Sequence, residues 1–159
     1  MAGEDRIVRD NLIEFLRGGS AHMDITTALK DFPPALYGAK PKGAPHTAWQ
    51  LLEHIRITLH DLLDFCTVAE YVAPEWPKEY WPEAHAPGFP SQWKASLKAI
   101  QEDLAAFEKL AGDPTSNLYA QIPWGEGQTL LREILLAGDH TSYHLGQLIQ
   151  LRKQLEDAK

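Results

Sequence analysis

The sequence predicts an all-α fold, a four-helix bundle, on three observations. Four long segments repeat apolar residues at helical spacing, no strand pattern of comparable length competes, and prolines and glycines gather between those segments. With 159 residues, 44% hydrophobic and 23% charged, the chain is read as a single domain, 1–159, able to bury a core.

In the first segment Val8, Leu12, Phe15 and Leu16 mark the buried face, and Gly18-Gly19 stops it. A short apolar stretch around Ile25 to Leu29 predicts one or two further turns, followed by a Pro- and Gly-rich connector, 38–45. The second long helix opens at Thr47, where Gln50 completes a capping box. Its stripe is Leu51, Ile55, Leu59 and Leu62, and it should end before Pro74. The third opens near Ser91 as N-cap and runs through Trp93, Leu97, Ile100, Leu104 and Phe107 to Gly112-Asp113-Pro114. The fourth spans about 129–154, with Leu131, Ile134, Gly138, Thr141, Leu145, Leu148 and Arg152 along one stripe. Leu118 to Ile122 alternates briefly in the manner of a strand. Between the second and third long helices lies a Pro- and Trp-rich connection, Tyr71 to Pro90. A loop of that length is either a lid or binding wall, or a plug in which Trp76 and Trp81 close one end of the bundle.

The net charge of −7 and the lack of a basic stripe argue against a nucleic-acid partner. No apolar run approaches the roughly 20 residues of a membrane span, and the N-terminus has no apolar signal core, so a cytoplasmic location is expected. Cys66 is the only cysteine, which leaves no intrachain disulfide and no Cys-based zinc cage. Its apolar helical setting reads as a small buried hydrophobe, not a reactive thiol.

The chemistry concentrates in the histidines. His140 and His144 are four apart in a strongly periodic helix, so both imidazoles can reach one metal from one face. They flank the core stripe, with Asp139 and Tyr143 beside them as orienting groups. His54, between Leu51 and Thr58, supplies a third inward imidazole. The competing reading is an ordinary hydrogen-bonded core histidine plus an exposed pair. His60, about 120° further round its helix, is placed on the surface, and His22, His46 and His85 are read as solvated. Asp61 returns to the His54 side one layer along, and Asp61 and Asp139 are the weak catalytic candidates. Glu53 is read as a solvated helix face, and Arg56 and Arg132 as surface ion pairs or anion contacts.

The segment Trp49-Gln50-Leu51-Leu52-Glu53-His54-Ile55-Arg56 resembles the second helix of the DinB-like (DinB/YfiT) superfamily of metalloenzymes. Gly138-Asp139-His140-Thr141-Ser142-Tyr143-His144-Leu145-Gly146-Gln147 resembles that family's late Asp-His-x-x-x-His-x-Gly-Gln motif. The resemblance covers nearly the whole chain. It implies a four-helix bundle holding one divalent metal, zinc or nickel foremost, on His54, His140 and His144. It also implies a homodimer and a small-molecule substrate, and related branches use low-molecular-weight thiols as cosubstrates. No residue pattern assigns the chain to one of those branches. Three neutral ligands leave a coordination position open, which suits a thiol S-transferase or a hydrolase alike. The alternative is a non-catalytic metal- or ligand-binding bundle, or a dimeric interaction module with a structural or vestigial site.

Overall fold

The computed structural model describes residues 2–157, and these are built from helices: α1 (Ala2–Arg17), α2 (Ile25–Leu29), α3 (Ala48–Thr67), α4 (Pro90–Gly112) and α5 (Leu130–Asp157). Single turns of 3₁₀ helix at Pro34–Leu36 and Lys78–Tyr80 punctuate the connections. Each long helix starts and stops for a local reason. Gly18 and Gly19, at φ 66° and 87°, take the left-handed conformation that ends α1. Both halves of the expected capping box open α3: Thr47 Oγ1 accepts from Gln50 N–H at 3.2 Å, and Gln50 Oε1 accepts from Thr47 N–H at 3.1 Å.

The start of α4 differs from expectation. Phe89, not Ser91, is the N-cap residue; Pro90, with its φ already fixed, takes the first helical position, and Gln92 Oε1 accepts from Phe89 N–H at 3.1 Å. The brief alternation at 118–122 yields one isolated bridge, Gln121 to Thr129, and no strand among the described residues. A five-residue run without a partner of matching length has nothing to pair with.

The four long helices close into a square. α3 packs against α4 and α5, and α1 against the same two, so α1 and α3 stand diagonally. The expected stripes face inward except at Phe15, which is exposed: Leu12 and Leu16 of α1, Ile55 and Leu59 of α3, Ile100 and Phe107 of α4, and Ile134 and Leu148 of α5 are all buried. Arg9, itself buried, fastens α1 to the end of α4 by donating to the carbonyls of Ala111, Asp113 and Ser116 at 2.7–2.9 Å. At Ala111 it thereby satisfies a carbonyl that the helix terminus leaves without a partner. Among the described residues no helix is long and apolar enough to cross a membrane.

Candidate metal centre

α3 and α5 meet along a shared seam, and it is there that three imidazoles converge. One donor nitrogen from each of His54, His140 and His144 lies within 4.8 Å of the other two. His54 and His144 are buried and His140 half-buried. Their ring centroids form a near-equilateral triangle of 4.8, 4.6 and 4.5 Å. The Nε2 atoms of His54 and His140 are 3.1 Å apart. A tetrahedral ion with bonds of about 2.0–2.1 Å sets neighbouring ligand nitrogens about 3.3 Å apart, so this edge already has the required length.

Hydrogen bonds fix the tautomer of two of the three rings. A backbone carbonyl only accepts, so His54 Nδ1, 2.8 Å from Tyr80 O, carries its proton and leaves the Nε2 lone pair free. His144 Nδ1 likewise donates to Gln147 Oε1 at 2.8 Å. Fixing the far nitrogen in this way is what holds a ligand imidazole in one tautomer. Burial drives the rings toward the neutral form that coordination needs: it holds His54 down to about 4 and His140 to about 3, with repulsion from His144 adding to both, and it lowers His144, with repulsion from His46 adding there.

The long connection between α3 and α4 forms one wall of this centre. It runs back along α3 as a strap, antiparallel to the helix. The Tyr80 carbonyl meets His54, the Pro82 carbonyl accepts from Gln50 Nε2 at 3.3 Å, and the His85 carbonyl accepts from Thr47 Oγ1 at 2.6 Å. Positions 47, 50 and 54 form a single helical stripe, so one straight run of strap satisfies all three. Trp81, carried on the strap, stacks on His54 with centroids 3.8 Å apart and planes 8° apart. His46 stacks on the other face of Trp81, also at 3.8 Å. Trp76 takes no part in this stack; it is exposed and leans on Tyr80.

Several expectations need correction. His46, read as solvated, is half-buried against Trp81. Glu53, read as a solvated face, is buried and bound by Arg56 through two nitrogens at 2.9 Å. α3 is covered by α4, α5 and the strap together, so little of its circumference reaches water. Arg132 does ion-pair, but its partner Glu133 is a buried carboxylate that no periodic signal pointed to. His22, His60 and His85 are exposed, with His60 Nδ1 3.2 Å from the Asp103 carboxylate.

The two carboxylate candidates lie in different places. Asp61 accepts the hydroxyls of Tyr71 and Tyr80 at 2.7 and 2.6 Å, and so reaches the centre only through the residue whose carbonyl holds His54. Asp139 is exposed and faces a groove bounded by Phe15 and His22 near α1, away from the imidazoles. Cys66 is half-buried, and burial pushes its thiol up to about 12, which leaves it unreactive at neutral pH. Gln147 was legible as a fixed member of the late motif and sits three residues past His144, a spacing that brings side chains together on a helix. His46 and the Tyr80 carbonyl carried no comparable signal.

A small helical bundle with an inward cluster of three neutral imidazoles is thus the class of protein that fold and centre define. The DinB superfamily's family model matches residues 19–148, a stretch containing all three histidines, and the chain belongs to that superfamily. No curated protein and no solved structure matches it.

Proposed function

We propose that this chain is a metal-dependent enzyme acting on a small organic substrate, with one divalent ion held by His54, His140 and His144. The observation that carries the reading is the double orientation of the donors. His54 and His144 each give their Nδ1–H to a fixed acceptor, which leaves the lone pair of each on Nε2, and His54 Nε2 faces His140 Nε2 at 3.1 Å. A set of three nitrogens with no fourth donor in the cluster among the described residues suits a catalytic rather than a structural ion. All-imidazole donors favour zinc or nickel over hard cations such as magnesium and calcium.

When bound, such an ion supplies Lewis-acid chemistry, acidifying a water or a thiol at its open position. The chain's own residues set the conditions for it. Trp81 excludes water from one face of His54, and burial keeps the imidazoles unprotonated. Tyr80 and Gln147 hold the rings against rotation. S-transfer to or from a low-molecular-weight thiol and hydrolysis both use this arrangement, and both remain within the proposal.

The test is elemental analysis of untagged protein purified without chelator, with zinc and nickel titrations, beside His54→Ala. About one ion per chain, lost in the variant with helicity retained, supports the assignment and directs work to thiol-transfer and hydrolase assays. An ion retained at full affinity by the variant, or no ion bound in either protein, overturns it.

A further inference from the structure

Next to the imidazole cluster an open groove of about 390 Å³ runs between the start of α3 and the second half of α5. Its position follows from helical register. His140, His144, Gln147 and Leu151 recur at spacings of four, three and four, so the stripe that faces the cluster continues into the groove wall. On α3 the groove residue Leu51 stands three positions before His54. Three residues, about 4.5 Å of rise, therefore separate groove from imidazoles on both helices. Gln147 belongs to both, as a groove residue and as the acceptor for His144. His46 joins them on the other side, lining the groove while stacked on Trp81.

The lining has a distinct chemistry. Pro45, Leu51 and Leu151 supply apolar wall, while Gln147 and Gln150 supply neutral hydrogen-bonding groups. No lysine, arginine, aspartate or glutamate is among the lining residues. Lys40 stands at the rim, its ammonium given to the Pro45 carbonyl at 3.3 Å and its charge close enough to lower His46. A carboxylate lying between these walls, short of the imidazole end, would lose water without gaining a cation from the lining, which is unfavourable. The size falls within the range of about 300–1,000 Å³ usual for small-molecule sites. Gly146 opens the floor: a Cβ added there would meet nothing within 4 Å.

We infer that this groove seats the substrate, and that the substrate is an uncharged, largely apolar organic molecule whose amide or hydroxyl groups meet the glutamines, with one end reaching the imidazole cluster. The inference rests on the metal-centre reading for what happens at that end, and on the lining alone for the ligand's class. An acidic thiol cosubstrate is not seated here.

Octanamide and octanoate, equal in length and different in charge, are the probes, titrated calorimetrically into the full chain with and without zinc. Gly146→Leu fills the groove from an open helical position, and zinc stoichiometry and sedimentation are measured on the same samples. In the zinc-free chain, where only the lining acts on the ligand, octanamide is expected to bind at least about fivefold more tightly than octanoate, roughly 1 kcal/mol. Gly146→Leu should weaken octanamide about tenfold or more, with zinc stoichiometry and oligomeric state unchanged. Octanoate binding as well or better, octanamide binding unaffected by Gly146→Leu, or a change of oligomeric state in the variant would each overturn the inference, the last by making the groove an interface between copies. Zinc stoichiometry keeps the two readings apart. Groove-dependent octanamide binding by a chain that takes up no zinc sinks the metal centre alone, and zinc uptake without octanamide preference sinks the groove alone.

Discussion

His54 gives its Nδ1–H to the backbone carbonyl of Tyr80 across 2.8 Å, and this contact joins a helix to a strap 26 residues further along the chain. The Tyr80 hydroxyl, pointing elsewhere, lies 2.6 Å from Asp61, two turns beyond His54 on the same side of α3. Tyr71 holds the second oxygen of the same carboxylate. One residue thus orients a candidate ligand with its main chain and is anchored by its side chain.

Asp61→Asn should therefore lower zinc affinity without removing a donor. The amide keeps one acceptor oxygen and turns the other into a donor, so one phenol loses its acceptor and Tyr80 loosens. Partners at this remove from a metal typically change affinity by about 10–100-fold, and about tenfold is expected here. Chelator competition measures it, with Tyr80→Phe, which removes the anchoring hydroxyl, expected to lose at least as much as Asp61→Asn and Tyr71→Phe expected to lose less. Unaltered zinc affinity in Asp61→Asn would show that the anchor has no bearing on the centre.

Acid should destabilise the metal-free chain through its buried imidazoles. Free histidine titrates near 6.5, whereas burial holds His54 at about 4 and His140 at about 3. Between those values the unfolded chain binds more protons than the folded one, so stability falls with falling pH. The imidazole contribution is complete above about pH 6.5 and is lost progressively below it. Asp103, raised by its burial, acts in the opposite direction, so the informative comparison is with a variant. Urea midpoints at pH 7 and pH 5 should differ more in wild type than in His140→Leu; equal differences would refute the account.

Arg9→Met should destabilise the bundle by roughly 3 kcal/mol, because the methionine fills the volume but leaves the Ala111 and Ser116 carbonyls without their donor and takes one of three donors from Asp113. Arg9→Lys should recover less than half, since one ammonium cannot span three acceptors in the guanidinium's fork. Urea denaturation checks both. A loss under about 1 kcal/mol for Arg9→Met would mean that water replaces the guanidinium there.

How far the sequence carried depends on whether the cause of each feature is local. Leu51, Ile55, Leu59 and Leu62 are buried as their spacing requires, and Thr47 with Gln50 opens α3, because periodicity and capping are decided within a few residues. His140 and His144 share a face for the same reason, and His54 could be turned inward from its place beside the apolar stripe. The path of the strap was beyond that reach. Tyr80 against His54, His85 against Thr47, and Trp81 between His46 and His54 join residues up to 38 positions apart, through carbonyls and ring faces that leave no period in the sequence. Glu53 shows the same limit: its spacing marks a polar face, but burial depends on what packs there. Local spacing thus determined the helices and the inward histidines, while tertiary packing decided their tautomers, their neighbours and the uncharged groove beside them.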